Sequence, residues 1–470
     1  MPQSGSPSIP HPLPTWLFAS LLAVLVWAPL PFGSNREWAG AGLAVATSAL
    51  CAASLQYLIF RPGHWQTAGV RAGSVALLLL VLVQCWTALQ LLPLPRELVA
   101  MLSPQAFAWH IREGGLPLSL DVSATRYRLL IGIAVTQVFF LTLLLVTTRQ
   151  RVNLLLGALV FSGTLQASYG VLMTLSGVEL GFFVEKYAGR GVATGTFVNR
   201  NHLAGYLVLC LAAGTGLLLA QLSPYRRQSW RDRLRGWLEL AMSNKFRLRI
   251  FLALMVVALV LTRSRMGNVA FFCALVFAAT LTLVAGRRFS WGVALFLVSL
   301  LVVDLWILGT WFGLDKVVER LETLESRPIA EDARYWLDAY TLVMLRDFWA
   351  TGIGAGAFPS VFPNYQGSAL KGYYEYAHND YLQIAAELGV AVLLMLASAV
   401  LMAARQAFGA LKSGSRLVRG IGFTVLMAIG WAILHSSTDF NLYIPAVAVT
   451  FSAILALAFT TKSELLLTRA

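Results

Sequence analysis

A histidine and a set of arginines are the residues of this chain whose types and spacing suit chemistry. His378 stands in the run Tyr376-Ala377-His378-Asn379-Asp380-Tyr381, just ahead of an apolar stretch. An imidazole titrates near neutral pH, so a loop histidine can accept a proton from a reacting hydroxyl; a merely exposed loop histidine is the plainer alternative. Asn379 and Asp380 are each suited to cap the helix that follows. Arg263 and Arg265, in LTRSRMGN, lie two residues apart between two apolar runs with almost no loop between them. Arginine at membrane depth costs roughly 2.5–3.5 kcal/mol at a helix centre and less at its end. Either one alone is explained by snorkelling to lipid phosphates. The pair, with planar guanidinium forks, suits a phosphate or pyrophosphate at the membrane surface.

Three further places carry polar groups on the same predicted side. Arg334 lies on the helical pattern EDARYWLDAYTLVMLRDF, either as an i,i+3 or i,i+4 partner of Glu331 or Asp338 or as a second anion contact. In Asn199-Arg200-Asn201-His202, Asn201 reads as an N-cap and Arg200 as an interface anchor; with the other arginines they become candidate substrate contacts, as do Asn379 and Asp380. His435 and Asp439, in HSSTDFNLYIP, read as a polar capping pair. The glycine run GIGAGAF lacks the βαβ surroundings of a dinucleotide loop, so it reads as a tight turn, one able to offer N–H groups to an anion.

Helices must position these residues. The 470 residues are 58% hydrophobic and 12% charged, against about 25% charged in soluble domains. Apolar runs predict an all-α polytopic membrane protein of about 12 transmembrane helices, near 15–32, 38–60, 74–93, 127–147, 153–175, 202–222, 248–262, 266–286, 290–310, 380–403, 418–436 and 443–461. The first is read as a retained helix, not a signal peptide. The Arg-rich stretch Pro224–Arg249 orients the chain with both termini cytoplasmic, and most of the 22 Asp and Glu then fall on the periplasmic side. The net charge of +14 is thereby a topology signal, which argues against nucleic acid as a partner. No predicted span carries a chain of buried charges.

Three outer segments exceed the short connections of a helix bundle. One, 94–126, contains SPQAFAWHIREGG, read as a surface amphipathic helix; the second is 177–201. The largest lies between the ninth and tenth helices and holds helical patterns at Asp315–Glu325 and Glu331–Phe348. Loops of this length usually carry function. The chain divides into N-terminal helices with an outer loop (1–200), central helices (201–310), a periplasmic catalytic loop (311–379) and C-terminal helices (380–470). Cys51, Cys85, Cys210 and Cys273 all fall in predicted spans without a CxxC pair, which suggests buried small side chains.

Four stretches resemble the O-antigen ligase/polymerase superfamily of bacterial membrane glycan transferases: GTFVNRNHLAGYL (195–207), LTRSRMGN (261–268), the run from ARYWLDAYTLVMLRDFWATGIGAGAF through AHNDYLQIAAELG (333–389), and HSSTDFNLYIP (435–445). PLPFGSNREW (29–38) also has the look of the group. The resemblance implies an inner-membrane enzyme that takes a glycan from undecaprenyl pyrophosphate and passes it to an acceptor hydroxyl at the periplasmic face, with no metal or other cofactor. It casts His378 as the residue acting on the acceptor, Arg265 (with Arg263) as the span-end arginine facing the pyrophosphate, and Arg334 as the loop arginine. The acceptor stays open between lipid A–core, another lipid-linked repeat unit and a protein side chain. A polysaccharide or lipid transporter and a non-catalytic envelope scaffold are the rival classes.

Overall fold

The computed structural model describes residues 13–60, 67–110, 114–186, 189–221, 244–286 and 333–462. Among them the chain is almost wholly helical, with a two-residue hairpin, β1 (Leu180–Gly181) and β2 (Val184–Glu185), as its one sheet. Its helices are α1 (Thr15–Trp27), α2 (Glu37–Phe60), α3 (Ala68–Leu89), α4 (Arg96–Leu102), α5 (Pro104–Trp109), α6 (Val122–Leu145), α7 (Arg149–Ser176), α8 (Arg200–Ala220) and α9 (Asn244–Leu261). They continue with α10 (Arg265–Ala285), α11 (Ala333–Phe348), α12 (Phe358–Val361), α13 (Asp380–Leu388), α14 (Val390–Leu411), α15 (Arg416–His435) and α16 (Pro445–Thr460).

Eight of these, α2, α3, α6, α7, α8, α10, α14 and α15, are long and apolar enough to cross a membrane. Helices α1 and α16 are apolar but shorter. The expected span at 290–310, the helix at Asp315–Glu325 and nearly all of the Arg-rich segment lie outside the described residues, as do the extreme termini. Two expectations change. The tenth span does not begin at Asp380: Gly389, at φ +88, breaks the run, and a separate nine-residue helix α13 precedes the span α14. The helix expected in 103–115 is short, Pro104–Trp109, and a second short helix, Arg96–Leu102, precedes it across Ser103.

Helices α8 and α15 form the centre, each with about five-sixths of its apolar stretch buried, while α3 and α14 show most of theirs to the surroundings. Small residues let α8 and α15 approach closely. A Cβ on Gly216 would strike Thr424 and the Gly420 carbonyl, and one on Gly420 would strike the Gly216 carbonyl. Thr424 Oγ1 donates across the gap to the Ala212 carbonyl at 3.1 Å. With lipid outside, close packing of this kind and interhelical hydrogen bonds replace the hydrophobic drive of a soluble core. The cysteines follow the expected placement in apolar helices, but only Cys210 is buried; Cys85 and Cys273 face outward.

A second apolar core sits at one end of the bundle. Val99, Leu116 and Leu118 pack there with Leu337, Met344, Phe348, Phe358, Phe362 and Ala386. The 94–126 segment and the segment from 333 to 388 thus build a single cap. Backbone hydrogen bonds lace it together: Leu120 N–H to the Ile353 carbonyl at 2.8 Å, and Ile353 N–H to the Ala386 carbonyl at 3.0 Å.

Candidate functional site

The glycine run GIGAGAF seats the cap on α13. Gly352, Gly354 and Gly356 all have positive φ, and a Cβ on Gly352 would collide with the Glu387 backbone carbonyl. Glycine relieves both constraints at once. Gly356 N–H does serve an anion, but it is the chain's own Glu387, whose Oε2 it meets at 2.6 Å. Tyr443 Oη donates to the same oxygen at 2.8 Å, and Gln383 Nε2 to Oε1 at 3.0 Å. Burial pushes the Glu387 carboxyl above its ordinary pKa, against these donors and the charge of Arg128. Arg128 itself donates to the Tyr443 carbonyl at 2.9 Å and lies over the Tyr443 ring at 4.7 Å. A partly buried arginine and a buried glutamate are therefore joined through Tyr443, where no such charge chain was expected. The sign in the sequence is Glu387 itself, a carboxylate inside an apolar run.

The same scaffold aims His378. Ala377 N–H is held by Gln383 Oε1 at 2.9 Å, Asn379 Oδ1 caps α13 through Leu382 N–H, and Asp380 N–H is held by the Ser436 carbonyl at 2.8 Å. Asn379 is thus the N-cap. Between these anchors His378 takes a φ of +53, a left-handed conformation in which histidine is enriched but still uncommon. A residue held there by its surroundings is a pointer to function.

The anchored ring faces Asp439. His378 Nδ1 lies 3.4 Å from Asp439 Oδ1, and the His378 side chain keeps about a third of its surface exposed against 2% for the aspartate. Nδ1 is on the buried edge, so the exposed edge carries Nε2. Asn201 Nδ2 donates to Asp439 Oδ2 at 2.5 Å, and Phe440 N–H donates to Oδ1 at 2.9 Å. Asn201 is therefore no cap; Asn199 takes that role for α8, accepting from the Asn201 N–H. His202 Nε2 stands 4.0 Å from Asp439 Oδ1. Burial alone would raise the Asp439 carboxyl, but the contact with His378, ahead of the other neighbouring histidines, outweighs it and holds it well below the usual carboxylate range. Asp439 is an anion at any working pH.

Phe440 is the floor of this cluster. Tyr376 stacks on it with centroids 4.0 Å apart, and the His202 and His378 rings meet it edge-on at 4.6 and 4.8 Å. His435, the last residue of α15, accepts from Trp431 Nε1 at Nδ1 over 3.0 Å, which leaves its Nε2 as the N–H. Asp380, by contrast, is fully buried and turned from the surface: its Oδ2 accepts from Leu442 N–H at 3.0 Å and ties α13 to the loop after Asp439. Burial drives its carboxyl up to about 8, although the Leu442 N–H pulls the other way.

Four arginines rim the same end of the bundle. Arg200 opens α8 beside Asn201, and both it and the pair Arg263 and Arg265 are exposed. Arg263 has φ +50 in a turn braced by Thr262 and Ser264; Ser264 Oγ caps α10 through Gly267 N–H. A Cβ on Gly267 would come within 2.6 Å of Ala204, so the arginine turn lies against the first turn of α8, where Asn201 and His202 stand. Arg200, Arg263 and Arg265 make no ion pair among the described residues. Arg200 and Arg265 also begin helices, the end where a cation is disfavoured by the macrodipole. Arg334 is exposed at the start of α11. Arg200 and the arginine turn thus stand at neighbouring helix ends, near Asn201 and His202, and Arg334 stands at the start of a helix of the cap. Among the described residues no three His, Cys, Asp or Glu side chains form a metal site.

Residues 250–397 match the family model described as O-antigen ligase. That stretch is similar to the O-antigen ligase/polymerase superfamily. The matched stretch contains Arg263, Arg265, Arg334 and His378, and stops short of Arg200, Asn201 and Asp439. No curated protein matches the chain. The match and the eight apolar helices together support a multi-pass membrane protein.

Sequence reasoning missed the hub of the site. Asp439 was visible only as one of a polar pair with His435, and its partner Asn201 is 238 residues away. The available signal was positional: polar side chains at the ends of three apolar runs, all at the same end of the bundle.

Proposed function

We propose that the chain transfers a glycan from undecaprenyl pyrophosphate to an acceptor hydroxyl at the periplasmic face of the bacterial inner membrane. The observation that carries this is a partly exposed His378 backed by a buried, doubly held Asp439, with exposed arginines at neighbouring helix ends.

Asp439 holds Nδ1 as the protonated nitrogen and orients the ring, so that Nε2 offers its lone pair outward. Nε2 then takes the proton of the acceptor hydroxyl as that oxygen bonds to the anomeric carbon. The bond from that carbon to pyrophosphate oxygen breaks, and its electron pair leaves with the pyrophosphate. Asp439 stabilises the imidazolium that results. Arg265 with Arg263, and Arg334 from the cap, neutralise the departing charge. Arg200 and Asn379 line the approach, Asn201 positions Asp439, and Asp380 clamps the loop behind it. A positioned base contributes about 10²–10⁴-fold, and orientation of two bound reactants several kcal/mol more. The displacement is direct and inverts the anomeric centre, and it calls on no metal.

The test returns wild type or His378→Ala to a deletion strain at equal membrane abundance and resolves the envelope glycans on a gel. Accumulated carrier-linked glycan with loss of one product supports the reading. The missing product names the acceptor: capped lipid A–core for a ligase, longer carrier-linked chains for a polymerase, a modified protein for a protein-directed transferase. Wild-type behaviour of His378→Ala overturns it.

A further inference from the structure

The loop that carries His378 is held by a relay of buried side chains. Ala377 N–H, one residue before the histidine, is received by Gln383 Oε1 at 2.9 Å. The nitrogen of the same amide, Gln383 Nε2, donates to Glu387 Oε1 at 3.0 Å. Gln383 and Glu387 stand four residues apart on α13, and so on one face of it. Both are buried, where a mismatched donor or acceptor costs most.

A glutamine amide can turn over with little change of shape, which exchanges its donor for its acceptor. In Gln383 the choice is made by Glu387. Gly356 N–H at 2.6 Å and Tyr443 Oη at 2.8 Å both donate to Glu387 Oε2, which holds the side chain as an acceptor. Its other oxygen, Oε1, accepts as well, so the nitrogen side of Gln383 must serve it. The oxygen side of the amide is then the one that faces Ala377 N–H. Glu387 is itself fixed in place, since Gly354 N–H and Gln90 Nε2 both donate to its backbone carbonyl at 3.0 Å. Arg128, on α6, completes the hold. Its guanidinium donates to the Tyr443 carbonyl at 2.9 Å and to Tyr376 Oη at 3.2 Å. Tyr376 and Ala377 are thus both fixed immediately before the left-handed His378.

We propose that Glu387 is a positioning residue for His378, acting through Gln383: its carboxylate sets which way the amide points, and the amide sets the peptide that carries the imidazole. The role rests on His378 being the base of the transfer proposed above; neither Glu387 nor Gln383 touches the reacting atoms. A relay of this kind can be exchanged end for end. In Glu387→Gln the new amide receives Gly356 and Tyr443 on its oxygen and turns its NH₂ toward Gln383. Gln383 then turns over, and its own NH₂ meets Ala377 N–H, donor against donor. Adding Gln383→Glu places a carboxylate between those two donors, and the hold on Ala377 N–H returns.

The full chain in nanodiscs is compared as wild type, Glu387→Gln, the exchanged pair Gln383→Glu with Glu387→Gln, Gln383→Met and His378→Ala. Hydrogen exchange at the peptide carrying Tyr376–Asn379 reads the relay directly. Transfer of carrier-linked glycan isolated from the deletion strain, to membranes of that strain, reads its effect on the reaction. Glu387→Gln speeds exchange at that peptide while α8 and α15 stay protected, and it lowers kcat by about tenfold or more at an unchanged donor KM. The exchanged pair recovers both. Gln383→Met leaves the carboxylate with its bonds to Gly356 and Tyr443 and removes the amide, so it shows the same two losses even if Glu387→Gln does not fold. Wild-type exchange in the single variants overturns the proposal, and so does an exchanged pair no better than Glu387→Gln. Lost transfer in His378→Ala beside normal transfer in Glu387→Gln and Gln383→Met refutes the positioning role alone. Wild-type transfer by His378→Ala refutes instead the reaction on which that role rests.

Discussion

His378 Nδ1 and Asp439 Oδ1 are 3.4 Å apart, joined across the seam where the cap meets the bundle, with Asn201 gripping the other carboxylate oxygen at 2.5 Å. The pair has an ordering that a surface ion pair lacks, because Asp439 is buried and Phe440 meets the imidazole edge-on. If Asp439 acts through His378, the two substitutions are not independent. Asp439→Asn keeps the shape and removes the charge, and transfer by purified enzyme falls by about 10²–10⁴-fold. His378→Ala costs as much, and the double variant little more than either single one. Multiplying losses would show that the residues work apart.

Arg263 and Arg265 divide a role that their spacing left undecided. A charge-assisted contact to pyrophosphate is worth about 1.5–3 kcal/mol, or roughly 10–150-fold. The arginine that meets the donor loses that factor in kcat/KM on change to Gln, with partial recovery on change to Lys. The other behaves as a lipid anchor and changes by less than about threefold. Titrating purified variants with lipid-linked donor at fixed acceptor distinguishes them. Equal insensitivity of both would remove the arginine turn from the reaction.

Asp380 gives the fold a pH dependence of definite sign. Its carboxyl is raised by burial to about 8, from about 3.9 in an unfolded chain. The native state therefore holds a proton that the unfolded state has lost. This contribution is complete below about pH 4 and is lost as pH rises through about 8. Asp380→Asn keeps an acceptor for Leu442 N–H but cannot ionise. Its melting temperature in detergent, relative to wild type, therefore climbs between pH 5 and pH 8 and levels off above. A constant difference across that range would mean Asp380 ionises freely in the folded protein.

Many helices, and the cap at Asn379 or Asp380, were legible because they depend on apolar runs and on side chains within a turn of one another. His378 and the arginines were legible as chemistry-bearing types at the ends of apolar runs. What escaped was everything made by long-range closure. The cap core pairs Leu116 and Leu118 with Phe358 and Phe362, and neither segment alone shows that it has a partner. Asp439 resembled a capping residue until the fold brought Asn201 and His378 to it. Gly389 hid in a continuous apolar run, since hydropathy does not register a change of backbone direction.

The glycine turn converts that long-range closure into a testable energetic claim. At Gly352 an alanine meets two penalties: a left-handed φ of +71, worth about 1–2 kcal/mol for an L-residue, and a Cβ directed into the Glu387 carbonyl. That carbonyl belongs to the backbone of α13 and also accepts from Gly354 N–H and Gln90 Nε2, each at 3.0 Å. It cannot retreat without opening the seam that carries Glu387, Asn379 and His378. Gly352→Ala therefore lowers the melting temperature and, by loosening the mount of His378, reduces transfer even in the protein that remains folded. Gly409→Ala, in a helix with open space around it, leaves both unchanged. Thermal unfolding and specific activity measured on the same preparations decide the point. A Gly352→Ala protein that unfolds earlier but transfers at the wild-type rate per folded molecule would show that the seam supports the fold without setting the histidine.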